Sequence, residues 1–265
     1  MCSNWRNTLI RTKEYLIYLI RARFWKGYGI HSPAVFELVS KALHAKMASA
    51  DREKINIFTK KISSDHRTVL FNEIGAGSQV FKGNTRKVSD IVRYSGNTKK
   101  YARVLFRLVN YYQPKCIIEL GTSVGISSIC MALANKKAVV HTIEGNKQVM
   151  EIAMEYAQSI NIHSINFYHG MFDEVLPKLL LTVQTPEFVF IDGNHTYEAT
   201  LKYYKYFKKY VQKGILVFDD IYWSAEMKKA WMAIMEDAVI TIDLYKLGIV
   251  VIDEMLTPGN YRVRY

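Results

Sequence analysis

The chain has 265 residues, 49% of them hydrophobic, and a formal charge of +12. That length suits one large domain, or a core domain with an extension, around a substantial hydrophobic core. Three cysteines (Cys2, Cys116 and Cys130) without a CxxC pair exclude a disulfide framework and a cysteine-built zinc site, and they point to a reducing, cytoplasmic setting.

The pattern over residues 4–26 predicts a helix, with Leu9, Leu16, Ile20 and Phe24 at helical spacing and Arg and Lys between them. Its apolar run, Tyr15–Ile20, is too short to span a bilayer, so no transmembrane segment is expected, and no cleavable signal stretch is evident. Such a basic amphipathic helix packs on its own domain, makes a homodimer contact, or lies on a membrane or partner. Gly27, Gly29 and Pro33 break the pattern. A second helix is expected over 33–47, with Ser32 as candidate cap, and a third over 51–63. Thr68–Gly83 differs: Val69, Leu70 and Phe71 lead into the glycine loop Glu73-Ile74-Gly75-Ala76-Gly77-Ser78. Residues 85–112 read as helix, interrupted near Ser95-Gly96-Asn97, so no second strand with a terminal acid follows that loop. It is expected to be a turn among N-terminal elements, with Tyr94, Tyr101 and Arg103 as candidates for an acceptor wall.

From Pro114 onward strands and helices alternate. Strands are expected at Cys116–Leu120, Ala138–Ile143, Ser164–Tyr168, Phe188–Ile191 and Ile215–Phe218. Helices are expected at Ser127–Ala134, Lys147–Ser159, Glu174–Leu181, Ala199–Val211 and Ala225–Glu236. Two antiparallel strands, Val239–Tyr245 and Leu247–Ile252, close the pattern. The reading is an α/β, Rossmann-like, mostly parallel seven-stranded sheet with an antiparallel C-terminal strand. A helical extension at 1–112 precedes a cofactor domain at 113–265 and is expected to shape acceptor specificity.

In such sheets ligands bind beyond the C-terminal strand ends. The first strand ends in Glu119-Leu120-Gly121-Thr122-Ser123-Val124-Gly125, whose glycines allow a tight turn before the helix at Ser127. The second ends in Ile143-Glu144, 25 residues after Glu119, with a carboxylate suited to two ribose hydroxyls. A dinucleotide loop would read GxGxxG. Here it is GxxxG with an acid two residues earlier, which would repel a pyrophosphate and attract an ammonium. A cofactor with an amino-acid end and a ribose fits better.

The run Ile118-Glu119-Leu120-Gly121-Thr122-Ser123-Val124-Gly125 resembles motif I of class I S-adenosylmethionine-dependent methyltransferases, and within them the catechol and caffeoyl-CoA-type O-methyltransferases. The resemblance covers about residues 114–252. It implies a cofactor set of Glu119, Gly121 and Ser127 at the methionine end, Thr122, Ser123 and Gly125 in the loop, and Glu144 and Gly145 at the ribose. Gly170-Met171-Phe172-Asp173 falls where the family contacts adenine, so Met171 and Phe172 join the set.

The fourth strand ends in Asp192-Gly193-Asn194-His195-Thr196-Tyr197 and the fifth in Asp219-Asp220. Converging acids suit Mg²⁺ or another divalent cation, which would orient a hydroxyl and lower its pKa. The resemblance places Asp192, Asp219 and Asp220 at the family's metal positions, although Asp220 stands where Asn is usual. His195 stands where the family has a catalytic Lys and can serve as general base, with Asp192 beside it. The run also resembles bacterial methyltransferases with Asp-Gly-x-His at this strand end. The competing readings are that the acids cap the following helices, or that Asp192 supports the cofactor's methionine end without a metal. Trp223 is a further candidate for the acceptor wall.

The implied activity is methylation of a small-molecule hydroxyl. The basic charge favours the alternative of an RNA or protein methyltransferase, although neither an (Asn/Asp)-Pro-Pro-(Tyr/Phe) motif nor an RNA-binding module is recognisable, so nucleic acid is the weaker partner. A non-catalytic cofactor-binding protein is the third reading.

Overall fold

The structure is a computed structural model that describes residues 2–70, 85–94 and 98–265. Eight strands form one sheet of order β10-β8-β9-β7-β6-β3-β4-β5, and a separate pair is formed by β1 and β2. The chain divides into two compact units, Met1–His44 with Glu187–Tyr265, and Ala45–Pro186.

In the Ala45–Pro186 unit, helix α3 (Ser49–Ser63) leads to the antiparallel pair β1 (Thr68–Leu70) and β2 (Thr85–Lys87). The strand at 85–87 corrects the expectation of helix from residue 85, since pairing with β1 outweighs the helical tendency of this short stretch. Helices α4 (Val88–Tyr94) and α5 (Thr98–Tyr112) follow. The glycine loop at 73–78 and the break at 95–97 lie outside the described residues. Strand β3 (Cys116–Leu120) is buried at every residue, as a strand covered on both faces requires. Strand β4 (Val139–Glu144) lies parallel between β3 and β5 (Ile165–His169). Helices α6 (Ile126–Ala134) and α7 (Lys147–Ser159) connect them, and α8 (Phe172–Leu180) follows β5.

In the other unit, α1 (Cys2–Arg21) stops before the expected residue 26: Phe24 is already out of helical backbone (φ −94°, ψ 71°), and Lys26, Gly27 and Gly29 then take left-handed backbone. It is tied down by Glu14, 2.8 Å from Lys228 Nζ, and by the buried Tyr18, whose hydroxyl donates to the Val263 carbonyl. Helix α2 (Pro33–Glu37) runs on as a π-helical stretch, Leu38–Leu43, and not as α-helix to residue 47. The wider turn brings Leu38, Val39, Ala42 and Leu43 towards one face, and all four are buried. Ser32 makes no side-chain cap bond, so Pro33 at the first turn supplies the start signal.

Strands β6 (Phe188–Ile191) and β7 (Gly214–Phe218) are parallel, and β9 (Gly248–Ile252) runs antiparallel to both β7 and β8 (Ile240–Asp243). The sheet has eight strands, not the seven expected: β10 (Gly259–Arg262) adds parallel to β8. Helices α9 (Tyr197–Tyr210) and α10 (Ala225–Asp237) cover these strands. Trp231 of α10 is fully buried and packs where a side chain on Gly248 would stand, 2.6 Å from the nearest ring atoms. Among the described residues, no helix is long and apolar enough to cross a membrane.

Candidate cofactor loop and acid cluster

The parallel register of β3 and β4 pairs Glu119 with Thr142 and Leu120 with Ile143, so both strands end at one level. Beyond them the chain turns through Gly121 (φ 101°), Ser123 (φ 47°) and Gly125 (φ 83°) before α6. Gly125 has a second constraint, because a Cβ there would lie 2.8 Å from Ala153 Cβ of α7. The left-handed, non-glycine Ser123 is held by Glu144, whose Oε2 accepts from its backbone N–H at 2.9 Å. Glu144 Oε1 accepts from the N–H of Asn146 at 2.9 Å, and Asn146 caps α7 through Val149 N–H at 3.2 Å.

Glu119 lies deeper. It is fully buried, and its Oε2 accepts from Ser128 Oγ and from Thr142 Oγ1 at 2.7 Å. Thr122 is also buried, with its hydroxyl 2.6 Å from that of Thr142. Sequence reasoning missed Ser128 and Thr142: the serine that meets Glu119 is Ser128, whereas Ser127 is half-exposed. Gly145, Met171 and Phe172 follow the ends of β4 and β5, and Gly170 N–H donates to the Glu144 carbonyl at 3.0 Å. Leu70, the last described residue of β1, donates its N–H to Gln148 Oε1 (2.6 Å) and accepts from Asn146 Nδ2 (2.7 Å). Cys116 and Cys130 are buried and not joined in a disulfide, and burial beside Glu119 pushes the Cys130 thiol up to about 12.

The second cluster is built by β6, β7 and the turn between β8 and β9. Asp219 N–H donates to the Ile191 carbonyl at 2.9 Å, which brings the β6 and β7 strand ends side by side. Asn194 (φ 52°) and Asp220 (φ 54°) hold left-handed backbone, and such strain gathers at functional sites. The helices that follow are capped by hydroxyls: Thr196 accepts from Ala199 N–H at 3.3 Å and Ser224 from Met227 N–H at 3.1 Å. Helix capping is therefore not what Asp192, Asp219 and Asp220 are for. His195 Nε2 lies 3.5 Å from Asp192 Oδ1, and both side chains are partly exposed.

The residue that the motifs did not reveal is Lys246. The tight turn at Tyr245 (φ 70°) swings it back over the acids, where Nζ lies 2.8 Å from Asp220 Oδ1 and 3.2 Å from Asp219 Oδ2. Its side chain is only 16% exposed. The charges shift one another. Burial, then Asp220 and Asp192, push Asp219 well above the usual carboxylate range. Burial also opposes ionisation of Asp192, but contact with His195 and the field of Lys246 hold it below that range. Burial lowers His195, yet Asp192, Asp220 and Asp219 outweigh it and raise the imidazole above its ordinary value. Burial is likewise outweighed at Lys246, which stays an ammonium beside its acids.

These residues do not fit a divalent cation. Such an ion needs six or more oxygens that can turn towards it. Here Asp219 and Asp220 already face an ammonium, which stands where a cation would have to enter. Among the described residues, no three His, Cys, Asp or Glu side chains converge as a metal site. Around the same turn Tyr245 stacks on Tyr222, with centroids 5.4 Å apart, and Tyr15 meets Tyr245 edge-on at 4.9 Å. Trp223 is half-exposed next to them, whereas Tyr94 is exposed and Arg103 bonds Asn56 at 2.8 Å.

Residues 118–221 match the family described as a methyltransferase domain. An uncharacterized protein of Acanthamoeba polyphaga mimivirus is 28% identical over 149 residues, a match that takes in 51% of this chain and 66% of that protein. The fold is similar to a putative O-methyltransferase from Klebsiella pneumoniae (TM-score 0.52, 15% identity, 83% of this chain and 96% of that one). It is also similar to an O-methyltransferase from Bacillus cereus in complex with SAH (0.52, 15%, 82% and 97%). A putative caffeoyl-CoA O-methyltransferase from Staphylococcus aureus gives 0.51 at 16% identity over 62% of this chain and 91% of that one. Residues 118–221 are thus similar to a methyltransferase domain, and the chain shares its fold with O-methyltransferases of known structure.

Proposed function

We propose that the chain methylates a hydroxyl group of a small molecule, with S-adenosylmethionine as methyl donor. The observation that carries this reading is Glu144, locked between the amides of Ser123 and Asn146 at the mouth of the glycine turn, a carboxylate of the kind that accepts from the two hydroxyls of a ribose. In the proposed site the backbone from Gly121 to Gly125 receives the methionine end, supported from below by Glu119. Ser127, Gly145, Met171 and Phe172 complete the cofactor set of this unit.

The bound cofactor supplies a methyl group activated by a positive sulfur. The chain's own residues hold the acceptor in line with that methyl and take its proton. Positioning of this kind supplies much of the rate. Nε2 of His195 faces Asp192 at 3.5 Å, so Nδ1 is the ring nitrogen that would accept the hydroxyl proton, and Asp192 would stabilise the resulting imidazolium. The O-methyltransferases among the similar structures support a hydroxyl acceptor. The extension at 1–112 is proposed to select the acceptor.

Calorimetric titration with S-adenosylmethionine, on wild type and Glu144→Ala, tests the reading. Wild type should bind, and the variant should lose about 10- to 100-fold in affinity, as expected when a charged acceptor of two hydroxyls is removed. No binding to wild type would sink the proposal. The charge of +12 favours RNA as a second acceptor class, so methyl transfer to bulk RNA belongs in the same assay series as transfer to phenols and other small hydroxyl compounds.

A further inference from the structure

Three carboxylates and one imidazole in a single cluster leave an excess of negative charge that must be offset for the cluster to stay folded at neutral pH. A soluble divalent ion is one solution, and Lys246 is another that is already in place. Its Nζ lies within hydrogen-bonding reach of Asp220 Oδ1 and Asp219 Oδ2, and its stem is enclosed. The arrangement is built rather than incidental. The β8–β9 turn bends through the left-handed Tyr245, Lys246 N–H donates to the Leu244 carbonyl at 2.9 Å, and the Lys246 carbonyl accepts from Ile221 N–H at 3.2 Å. The last contact binds the turn to the residue that follows Asp220.

We infer that Lys246 is a resident cation that takes the place of a divalent ion in the Asp192, Asp219 and Asp220 cluster, so that this chain works on its acceptor without a metal. Lys246 is a positioning residue: it acts through Asp219 and Asp220, which it neutralises and fixes beside the Asp192–His195 pair. This inference deepens the methyltransferase reading and rests on it for the acceptor, but the charge exchange itself is a property of the cluster.

The test uses full-length protein stripped with EDTA and titrated with MnCl₂ alone, with free Mn²⁺ read by electron paramagnetic resonance. Wild type and Lys246→Arg should leave Mn²⁺ free. Lys246→Met, which keeps the stem and loses the charge, should take up one ion about 100-fold more tightly than wild type, because a like charge within a few ångströms has been removed. Micromolar Mn²⁺ uptake by wild type, abolished in Asp220→Asn, overturns the inference, and so does failure of a folded Lys246→Met to gain uptake. Should Lys246→Met not fold by circular dichroism, the wild-type and Asp220→Asn titrations decide alone: silence in both supports the resident ammonium. Calorimetry with S-adenosylmethionine on the same EDTA-treated wild type separates the two ideas. Loss of cofactor binding there defeats the methyltransferase reading and leaves the Mn²⁺ result standing.

Discussion

His195 carries the most exposed chemical commitment of the site, because a base must be neutral to act. Asp192, Asp219 and Asp220 raise its pKa, and Lys246 is the cation that opposes them across the cluster. The protonated form is thus favoured at and somewhat above pH 6.5, and the active neutral form appears only as pH rises through the raised value. The kcat/KM profile should therefore climb through an apparent pKa above 6.5, and Asp192→Asn should move that midpoint down and lower the plateau. A profile flat from about pH 6 to 9 would remove His195 from the role of base. At this scale the sequence was informative where chemistry is local. Glu119, Gly121, Gly125 and Glu144 belong to one strand-turn-helix-strand step, and their spacing announces the turn. Ser128 and Lys246 were not legible. Ser128 depends on which face of the first α6 turn meets Glu119, and Lys246 lies 26 residues from Asp220 in sequence, joined to it only by the sheet.

Among the elements, the buried strands β3, β6 and β7 were legible because unbroken apolar runs of this length fit a covered parallel sheet. The strand β10 was not: Gly259-Asn260-Tyr261-Arg262 offers no apolar alternation, and its place comes from pairing with β8 and from Arg262, 2.8 Å from the buried Asp243. The π-helical stretch at Leu38–Leu43 was equally hidden, since a wider turn leaves no composition mark. Element joints set the tightest limits. Gly214 opens β7 against the Glu187 backbone, and a Cβ there would stand 2.1 Å from the Glu187 carbonyl oxygen. Gly214→Ala should cost about 1 to 3 kcal/mol or more of stability, as overpacking against backbone does. Urea unfolding reads this, and an unchanged midpoint would show that the β6–β7 joint can open at no cost.

For the whole molecule, stability against acid should depend on a few shielded carboxylates. Asp65 is one: its side chain is 8% exposed, and it accepts from Arg67 at 2.8 Å and from Tyr156 at 2.8 Å. Burial pushes its pKa up, but the Arg67 and Tyr156 hydrogen bonds prevail and hold it below the usual carboxylate value. A depressed folded pKa contributes stability that is fully present above the unfolded value, near 3.8, and is lost as pH falls through the folded one. Asp65→Asn should thus lower the melting temperature at pH 7 by a few degrees, and the gap to wild type should close below about pH 4. A gap that persists undiminished at low pH would assign the effect to packing instead. The net charge is legible from composition alone, but composition does not say how the chain divides into its two compact units, since α1 and α2, which end at Arg21 and Glu37, group with strands that begin only at Phe188.

The ammonium beside Asp219 and Asp220 ties this chain to its surroundings differently from an ion drawn from solution. A lysine is inherited with the polypeptide, arrives at a fixed ratio of one per chain, and cannot be withdrawn by a chelator or exchanged for a competing metal. On the proposed reading, the supply of divalent metal has no hold over this cluster, and one codon, the one for residue 246, separates that independence from uptake of an ion.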